Sequence, residues 1–306
     1  MATGLAASPP RLREQAATLA ARLPSLVVAA RRIAQSVMHG VHGRRQAGPG
    51  ETFWQFRPFV SGEPAGRVDW RRSARENHAF VREREWEAAH TLWLWFDRSS
   101  SMAFGSELAA STKLDRAAIL TLALADLAVR GGERVGLLGL SRPIAARGII
   151  DRFGEILAAS ERAGGPAPAP LPPVASIASR SKVVLVGDFL SPGDEVARSF
   201  AALGSNGAEG QVMMICDPLE ETFPFHGHTE FLGPDDVARL RAPRAQNLRA
   251  AYLARLAAQR EAVRSACMRQ GWDFALHRTD QSAAAALLSL HARLSERGPA
   301  NLAWGA

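Results

Sequence analysis

The sequence predicts an α/β protein with a doubly wound, mostly parallel sheet. From Thr91 onward, short apolar runs alternate with longer segments whose apolar residues recur every three or four positions, and strands that alternate with helices build parallel sheets. The apolar runs are continuous, which is typical of strands buried on both faces. With 306 residues, 47% hydrophobic and 22% charged, the chain is large enough for one such domain and an appendage.

Two segments precede this alternation. Residues 1–50 carry a pattern rich in alanine, leucine and arginine that predicts an amphipathic helix followed by a glycine-rich loop, and Pro24 is expected to break or kink the helix. The apolar positions of the helix are Leu12, Leu19, Leu23, Val27, Ile33 and Val37. Residues 51–90 mix aromatic residues with arginines without a helical period, so we expect an irregular or short-stranded module there.

Residues 91–296 are expected to form the α/β domain, and residues 297–306 a tail. The predicted strands cover residues 91–96, 133–140, 182–186, 211–216 and 272–277. The predicted helices cover residues 113–129, 151–162, 194–203, 248–270 and 282–294, and a linker rich in proline, glycine and alanine covers residues 163–173.

An acid and two hydroxyls follow the first predicted strand of this domain. Asp97, Ser99 and Ser101 stand at alternate positions. Ligands of open α/β sheets bind beyond the carboxyl ends of the strands, and carboxylate and hydroxyl oxygens are hard donors of the kind that Mg²⁺ prefers. The pattern therefore favours a metal site, although serine-rich turns also cap helices.

Charge and composition bound the function classes. The net charge is +7, and a net positive charge attracts anionic partners non-specifically. The basic residues are mainly arginines, which indicates only a preference for arginine over lysine. No recognition helix or aromatic stacking motif accompanies it, so no nucleic-acid partner is expected. The phosphate-cradling loop and the nucleophile elbow are both absent from the sequence, which argues against an enzyme.

Cellular location is predicted from hydropathy and from the cysteines. No apolar run reaches the roughly 18 residues of a membrane span, and the first residues do not form a signal peptide. We expect a cytoplasmic protein, with peripheral membrane contact by a basic helix as an open alternative. Cys216 and Cys267 lack metal-ligand spacing and are expected to be buried.

Five separated blocks, over about residues 40 to 295, resemble the bacterial DUF58 family. The first block comprises Phe53, Phe56, Arg57, Pro58, Phe59, Gly62, Glu63, Arg67, Asp69, Trp70, Arg71, Ser73, Ala74 and Arg75. The others comprise Asp97, Ser99, Ser101 and Met102; the strand end at Asp188; Asp217, Pro218, Glu220 and Pro224; and Thr279 with Asp280.

The resemblance implies a von Willebrand A-like domain with a metal-ion-dependent adhesion site. Asp97, Ser99, Ser101 and Asp188 would hold Mg²⁺, or alternatively Mn²⁺, and an open coordination position would take a carboxylate from a partner protein. Sites of this kind also use a loop threonine, yet the sequence has no threonine between Thr121 and Thr222. Water, Ser141 or Ser160 would have to replace it, so we expect weaker metal affinity or none.

The arginine block, which comprises Arg57, Arg67, Arg71, Arg72 and Arg75, has two interpretations. Its guanidinium groups could bind an anion, or they could pair internally and pin residues 51–90 to the α/β domain. We favour internal pairing, because Asp69 lies among the arginines, and we expect Trp70 to be buried beneath them.

The resemblance also implies a function. Proteins of this family are thought to act with MoxR-type AAA+ ATPases in chaperone-like maturation or remodelling of other proteins. We therefore expect a non-enzymatic adaptor. The alternative is a Mg²⁺-dependent phosphoester hydrolase that uses Asp97 and Asp188.

Overall fold

The computed structural model describes residues 9–42, 53–59, 68, 70–74, 79–84, 91–163, 167–175, 177–179, 181–233 and 238–296. The chain forms two compact units: residues 1–40 together with 90–306, and residues 41–89. The strands are β1 Phe53–Pro58, β2 Phe80–Arg84, β3 Thr91–Phe96, β4 Arg134–Leu137, β5 Lys182–Gly187, β6 Glu209–Cys216, β7 Thr229–Leu232, β8 Arg239–Ala242 and β9 Asp273–Arg278. The helices are α1 Pro9–His42, α2 Trp70–Ser73, α3 Lys113–Arg130, α4 Ile149–Arg162, α5 Gly193–Gly204, α6 Pro218–Thr222, α7 Arg249–Arg269 and α8 Ala283–Glu296.

A five-stranded parallel sheet forms the centre of the larger unit. Its order is β4-β3-β5-β6-β9, and each neighbouring pair is parallel. Helices α3, α4 and α8 pack together, as do α5 and α7, so the predicted doubly wound fold is confirmed. The strand order reverses between β3 and β5, and ligands of such sheets bind at this switch point.

The inner strands β3, β5 and β6 are largely buried on both faces because their side chains alternate between two helical layers. Trp95, Leu185 and Val212 pack with Phe200 of α5 and Val263 of α7 in one core cluster. On the other face, α3 contacts β3, β4, β5 and β6. The continuous apolar runs of these inner strands fit this arrangement because both of their faces are covered by helices.

Most predicted boundaries in this unit fall within three residues of those observed. The largest difference is in strand β4, which ends at Leu137, three residues before the predicted end at residue 140. Gly139 takes a φ of 76°, and the Ser141 hydroxyl accepts a hydrogen bond from the Leu137 amide. The turn thus begins inside the apolar run.

Helix α1 continues through Pro24 without the break that was one of the two effects expected of this proline. Buried side chains lie on both sides of the proline and anchor the helix: Leu19, Leu23, Leu26, Ala30, Ala34 and Val37. Arg22 pairs with Asp115 of α3, and Arg31 contacts Asp151 of α4 at 2.6 Å. These contacts explain why residues up to 40 belong to the larger unit. A helix held along its length also tolerates the loss of the one backbone hydrogen bond that proline cannot make.

The sequence did not predict the segment between β6 and α7. It contains the short helix α6 and an antiparallel pair, β7 with β8. Phe223 contacts the rings of Phe225, Phe231 and Tyr252. Each strand of this pair has only four residues, and most of their side chains are half-buried or exposed, so neither produced an apolar run.

The smaller unit contains an antiparallel pair, β1 with β2, and the single turn α2. Trp70 is 66% exposed, so the expectation that it is buried was wrong. Val68, two positions before Trp70, is buried. Gly62, Glu63, Arg67, Asp69 and Arg75 lie outside the described residues, as do the side chains of Arg57 and Arg72.

Within the described residues, no helix combines the length and apolar character needed to cross a membrane.

Candidate functional site

Asp97 and Asp188 follow the two strands that flank the switch point. The Asp97 amide donates to the carbonyl oxygen of Val186 (2.8 Å), which joins the end of β3 to β5. A Cβ atom added to Gly187 would lie 2.9 Å from the Cβ of Asp97. Position 187 therefore needs glycine, because a larger residue would push the two strand ends apart.

The Asp97 carboxyl is fully buried and only half satisfied. Its Oδ1 accepts a hydrogen bond from the Ser99 amide at 2.7 Å, whereas Oδ2 has no hydrogen-bond partner among the described residues. Burial, and next the charge of Asp188, raise the pKa of Asp97 to about 7. A buried carboxylate oxygen without a partner costs free energy. Binding of either a proton or a cation to the Asp97 carboxylate would remove this cost.

The serines after Asp97 do not act as helix caps. Ser99 precedes a 3₁₀ turn, Ser100–Ala103, but its side chain makes no capping hydrogen bond. Its Oγ instead lies 3.1 Å from the Oγ of Ser101. The N-cap of α3 is Thr112, which accepts from the Asp115 amide. Two neighbouring hydroxyls and an open carboxylate oxygen on one short turn fit the oxygen donors that Mg²⁺ takes.

Asp188 already has a cation beside it. Its Oδ2 lies 3.0 Å from the Nζ of Lys113, and its Oδ1 accepts a long hydrogen bond of 3.3 Å from the Leu190 amide. Lys113 also contacts Oε1 of Glu220 at 2.7 Å. Burial alone would lower the pKa of Lys113, but the charges of Asp188 and Glu220 outweigh burial and raise it.

Lys113 is a site residue that the sequence pattern did not single out. The side chain belongs to the first turn of α3 and is 1% exposed. A signal was present, because only two of the 37 basic residues in the chain are lysines, at positions 113 and 182, and both are buried. Lysine is rarely buried unless it is paired, and here two carboxylates supply that pairing.

Asp217, Pro218 and Glu220 form a capping box at α6. Glu220 Oε2 accepts from the Asp217 amide at 2.8 Å, and Asp217 Oδ1 accepts from the Leu219 amide at 2.8 Å. The buried Asp217 also accepts from the amide and hydroxyl of Ser106, at 3.0 and 2.6 Å. This motif therefore ties the loop after β3 to the end of β6, and through Glu220 it reaches Lys113.

Arg116 and His277 fix the end of β9. The Arg116 guanidinium contacts the His277 ring nitrogen Nε2 at 3.0 Å and donates to the Thr279 carbonyl at 2.8 Å. Burial, and next the charge of Arg116, lower the pKa of His277 to about 4. The Thr279 hydroxyl in turn lies 3.3 Å from Asp217, which connects β9 to the same network.

The serines considered as substitutes for the missing threonine have other roles. Ser141 accepts from the Leu137 amide (2.9 Å) at the end of β4. Ser160 lies 3.4 Å from Arg98, which is held mainly by Glu161 at 2.6 Å. The two histidines of the sequence His226-x-His228 are exposed. Cys216 and Cys267 are buried and free, as expected.

The candidate centre contains two carboxylates and two hydroxyls. No group of three or more His, Cys, Asp or Glu side chains in the described part of the chain could hold a metal ion. Carboxylate and hydroxyl oxygens are the hard donors that Mg²⁺ takes, and Mg²⁺ usually keeps several waters when it binds a protein.

Comparison with known proteins places these residues in a family. The family of proteins of unknown function DUF58 matches residues 55–262. The uncharacterized protein Rv1480 of Mycobacterium tuberculosis and the uncharacterized protein Mb1516 of Mycobacterium bovis are each 33% identical over 120 residues, which cover 39% of this chain and 37% of each relative. The match thus spans little more than a third of the length of these relatives.

Two solved structures are similar over 68% of this chain and all of their own length. One is the conserved hypothetical protein BatB from Bacteroides thetaiotaomicron, with 10% identity and a TM-score of 0.39. The other is an aerotolerance-related membrane protein from Bacteroides fragilis with multiple mutations to serines, with 13% identity and a TM-score of 0.38. The family match covers more than half of the chain, and the protein therefore belongs to the DUF58 family.

Proposed function

We propose that this protein is a non-enzymatic adaptor whose face at the switch point binds a partner protein through Mg²⁺ or Mn²⁺. Asp97, Ser99, Ser101 and Asp188 would hold the ion, and a carboxylate of the partner would complete its coordination. The observation that carries the proposal is the buried Oδ2 of Asp97, which has no hydrogen-bond partner in the part of the chain that the structure describes. It lies on the same turn as two neighbouring hydroxyls.

The surroundings of this centre favour a protein partner. Phe104 and Leu108, in the loop after β3, are 41% and 55% exposed, and Leu190, two residues after Asp188, is 46% exposed. Exposed apolar side chains beside a polar centre are typical of protein interfaces. A metal-bound carboxylate surrounded by apolar contacts would give such a complex both orientation and affinity.

The partner that we propose is a MoxR-type AAA+ ATPase in the cytoplasm, with a chaperone-like role in maturing or remodelling other proteins. This part of the proposal rests on the family resemblance and on the apolar surroundings of the centre. We prefer the adaptor to a phosphoester hydrolase because Lys113, the cation that contacts Asp188, is 1% exposed and held by two carboxylates. Because the Lys113 ammonium is buried and paired, it is poorly placed to bind the phosphate group of a substrate.

Calorimetric titration of Mg²⁺ and Mn²⁺ into the metal-stripped protein tests the centre. We expect binding to the wild type and its loss in Asp97→Asn, with Asp151→Asn as a control because Asp151 is an exposed acid paired with Arg31. Equal binding by the wild type and Asp97→Asn would refute the centre.

Binding to a purified MoxR-type ATPase, measured with Mg²⁺ and with a chelator, tests the partner. We expect association that needs both the metal and Asp97. Association in neither condition would reject this partner. A phosphatase and phosphodiesterase activity that disappears in Asp97→Asn would instead support the hydrolase.

A further inference from the structure

We propose that Lys113 is an internal competitor of the metal: its ammonium holds Asp188 and thereby sets the affinity of the centre for divalent cations. The inference rests on the proposed function, since it concerns the same centre. It predicts that removing Lys113 strengthens metal binding, whereas removing a lysine that only supports the structure would weaken it.

The two acids of the centre differ in their hydrogen bonds. Both oxygens of Asp188 have a donor, the Leu190 amide on Oδ1 and Lys113 Nζ on Oδ2. Among the described residues, Asp97 has a donor on Oδ1 alone. A divalent ion that enters next to Asp97 therefore meets one open carboxylate and one that is already neutralised by an ammonium.

Burial makes this competition strong. The side chains of Lys113 and Asp188 are 1% and 2% exposed, so water screens their charges little. An ion that binds Asp188 must either tolerate a buried positive charge nearby or displace the ammonium from Asp188.

Glu220 provides the position to which the ammonium could retreat. Its Oε1 lies 2.7 Å from Lys113 Nζ, closer than Asp188 at 3.0 Å. Lys113 can therefore keep a salt bridge when Asp188 turns to the metal. The capping box holds Glu220 in place through its other oxygen, Oε2.

Lys182 offers a matched control in the same chain. It is the only other lysine, it is also buried, and its Nζ donates to the Leu294 carbonyl at 2.7 Å and lies 4.0 Å from Glu133. It is the first residue of β5, and Asp188 follows the last one, so about 20 Å of strand separates the two positions.

The test measures Mg²⁺ and Mn²⁺ affinity of the full chain by calorimetry. We expect Lys113→Met to bind at least tenfold more tightly than the wild type, and Lys182→Met to stay within twofold of it. Glu220→Gln, which leaves the ammonium with Asp188 alone, should bind more weakly. Circular dichroism identifies the variants that fold.

The outcomes separate this inference from the proposed function. A folded Lys113→Met with equal or weaker affinity than a binding wild type overturns the inference, because loss of a purely positioning lysine would loosen the centre. If Lys113→Met does not fold, unchanged or tighter binding by Glu220→Gln overturns it. Binding by Lys113→Met but not by the wild type supports the inference and rejects a metal in the native centre. Absence of binding in all the folded proteins rejects both.

Discussion

The side-chain Nε2 of Gln259 lies 2.7 Å from the carbonyl oxygen of Phe189. The same atom donates to the carbonyl of Ser191, also at 2.7 Å. Phe189 directly follows Asp188 and has a φ of 47°, a conformation that is strained for a residue with a side chain. Its ring is buried against Trp95 and Phe200. Helix α7 therefore holds the backbone turn that positions Asp188.

We expect Gln259→Leu to lower the free energy of unfolding by about 2 kcal/mol, because two carbonyl groups lose their donor and leucine has nearly the same size. Urea denaturation measures this change. Mg²⁺ affinity should fall as well, because the turn that carries Asp188 is less well held. Arg255→Ala, an exposed change on the same helix, is the control. Equal stability of Gln259→Leu and the wild type would show that the strained turn holds without α7.

The Asp217 network gives a second stability prediction. Asp217 is fully buried and accepts hydrogen bonds from Ser106, Leu219 and Thr279. We expect Asp217→Ala to destabilise the protein by about 3 kcal/mol or more, since it removes a helix cap and leaves buried donors unpaired. Ser106→Ala should cost about 1 kcal/mol, because its amide keeps a bond to Asp217.

Thermal and urea unfolding of both variants would measure these costs. Asp280→Ala is a suitable comparison, because Asp280 is exposed and pairs with Arg278 at the surface, where such pairs contribute about 1 kcal/mol or less. Similar losses in Asp217→Ala and Asp280→Ala would contradict a structural role for the capping box.

The position of Asp97 beside Asp188 could be predicted from the sequence. Both acids follow continuous apolar runs, and parallel strands bring their carboxyl ends to one edge of the sheet. The run over Thr91–Phe96 coincides with β3, because Asp97 and the serines after it end the apolar run where the strand ends.

Lys113 and Trp70 show what the sequence pattern does not contain. A single lysine in the first turn of a helix is expected at the surface, and its burial depends on acids 75 and 107 positions away. Trp70 is expected to be buried beneath the arginines, yet it is 66% exposed at the start of the single-turn helix α2. For Lys113 tertiary contacts decide the outcome, and local composition carries little information about them.

The raised pKa of Asp97 predicts how stability depends on pH. An unfolded aspartate releases its proton near pH 4, whereas burial and the charge of Asp188 raise the pKa of folded Asp97 to about 7. Between these values the folded protein holds a proton that the unfolded chain has lost. The free energy of unfolding of the metal-free protein should therefore fall as pH rises from about 4 to about 7, by on the order of 4 kcal/mol in total.

Asp97→Asn removes this titration, so the difference between wild type and variant isolates it. The comparison with the variant is needed because His277 also titrates, with a pKa lowered to about 4 in the folded protein. Between about pH 4 and the pKa of an unfolded histidine, His277 makes the free energy of unfolding rise with pH, opposite to the effect of Asp97. Urea unfolding in a chelator at several pH values measures both proteins. Mg²⁺ should restore the lost stability of the wild type alone. A difference that does not vary with pH would show that Asp97 is ionised throughout.

Gly210 lies where the core beside β6 is packed too tightly for a side chain, which gives a further stability prediction. A Cβ atom at this position would lie 2.0 Å from the ring of Trp272, and that ring is fixed by a hydrogen bond from Nε1 to the Ala208 carbonyl (2.9 Å) and by Phe200 at 5.6 Å between centroids. We expect Gly210→Ala to lower the free energy of unfolding by about 3 kcal/mol through overpacking.

A double-mutant cycle identifies the cause of that loss. If the ring is the obstacle, Gly210→Ala should cost less than about 1 kcal/mol in a Trp272→Leu background, and the two changes will be strongly non-additive. Gly207→Ala separates backbone strain from packing, because Gly207 has a φ of 77° with nothing within 4 Å of an added Cβ, and it should cost about 1 kcal/mol. Additive losses at positions 210 and 272 would mean that the backbone of β6, and not the indole ring, requires glycine.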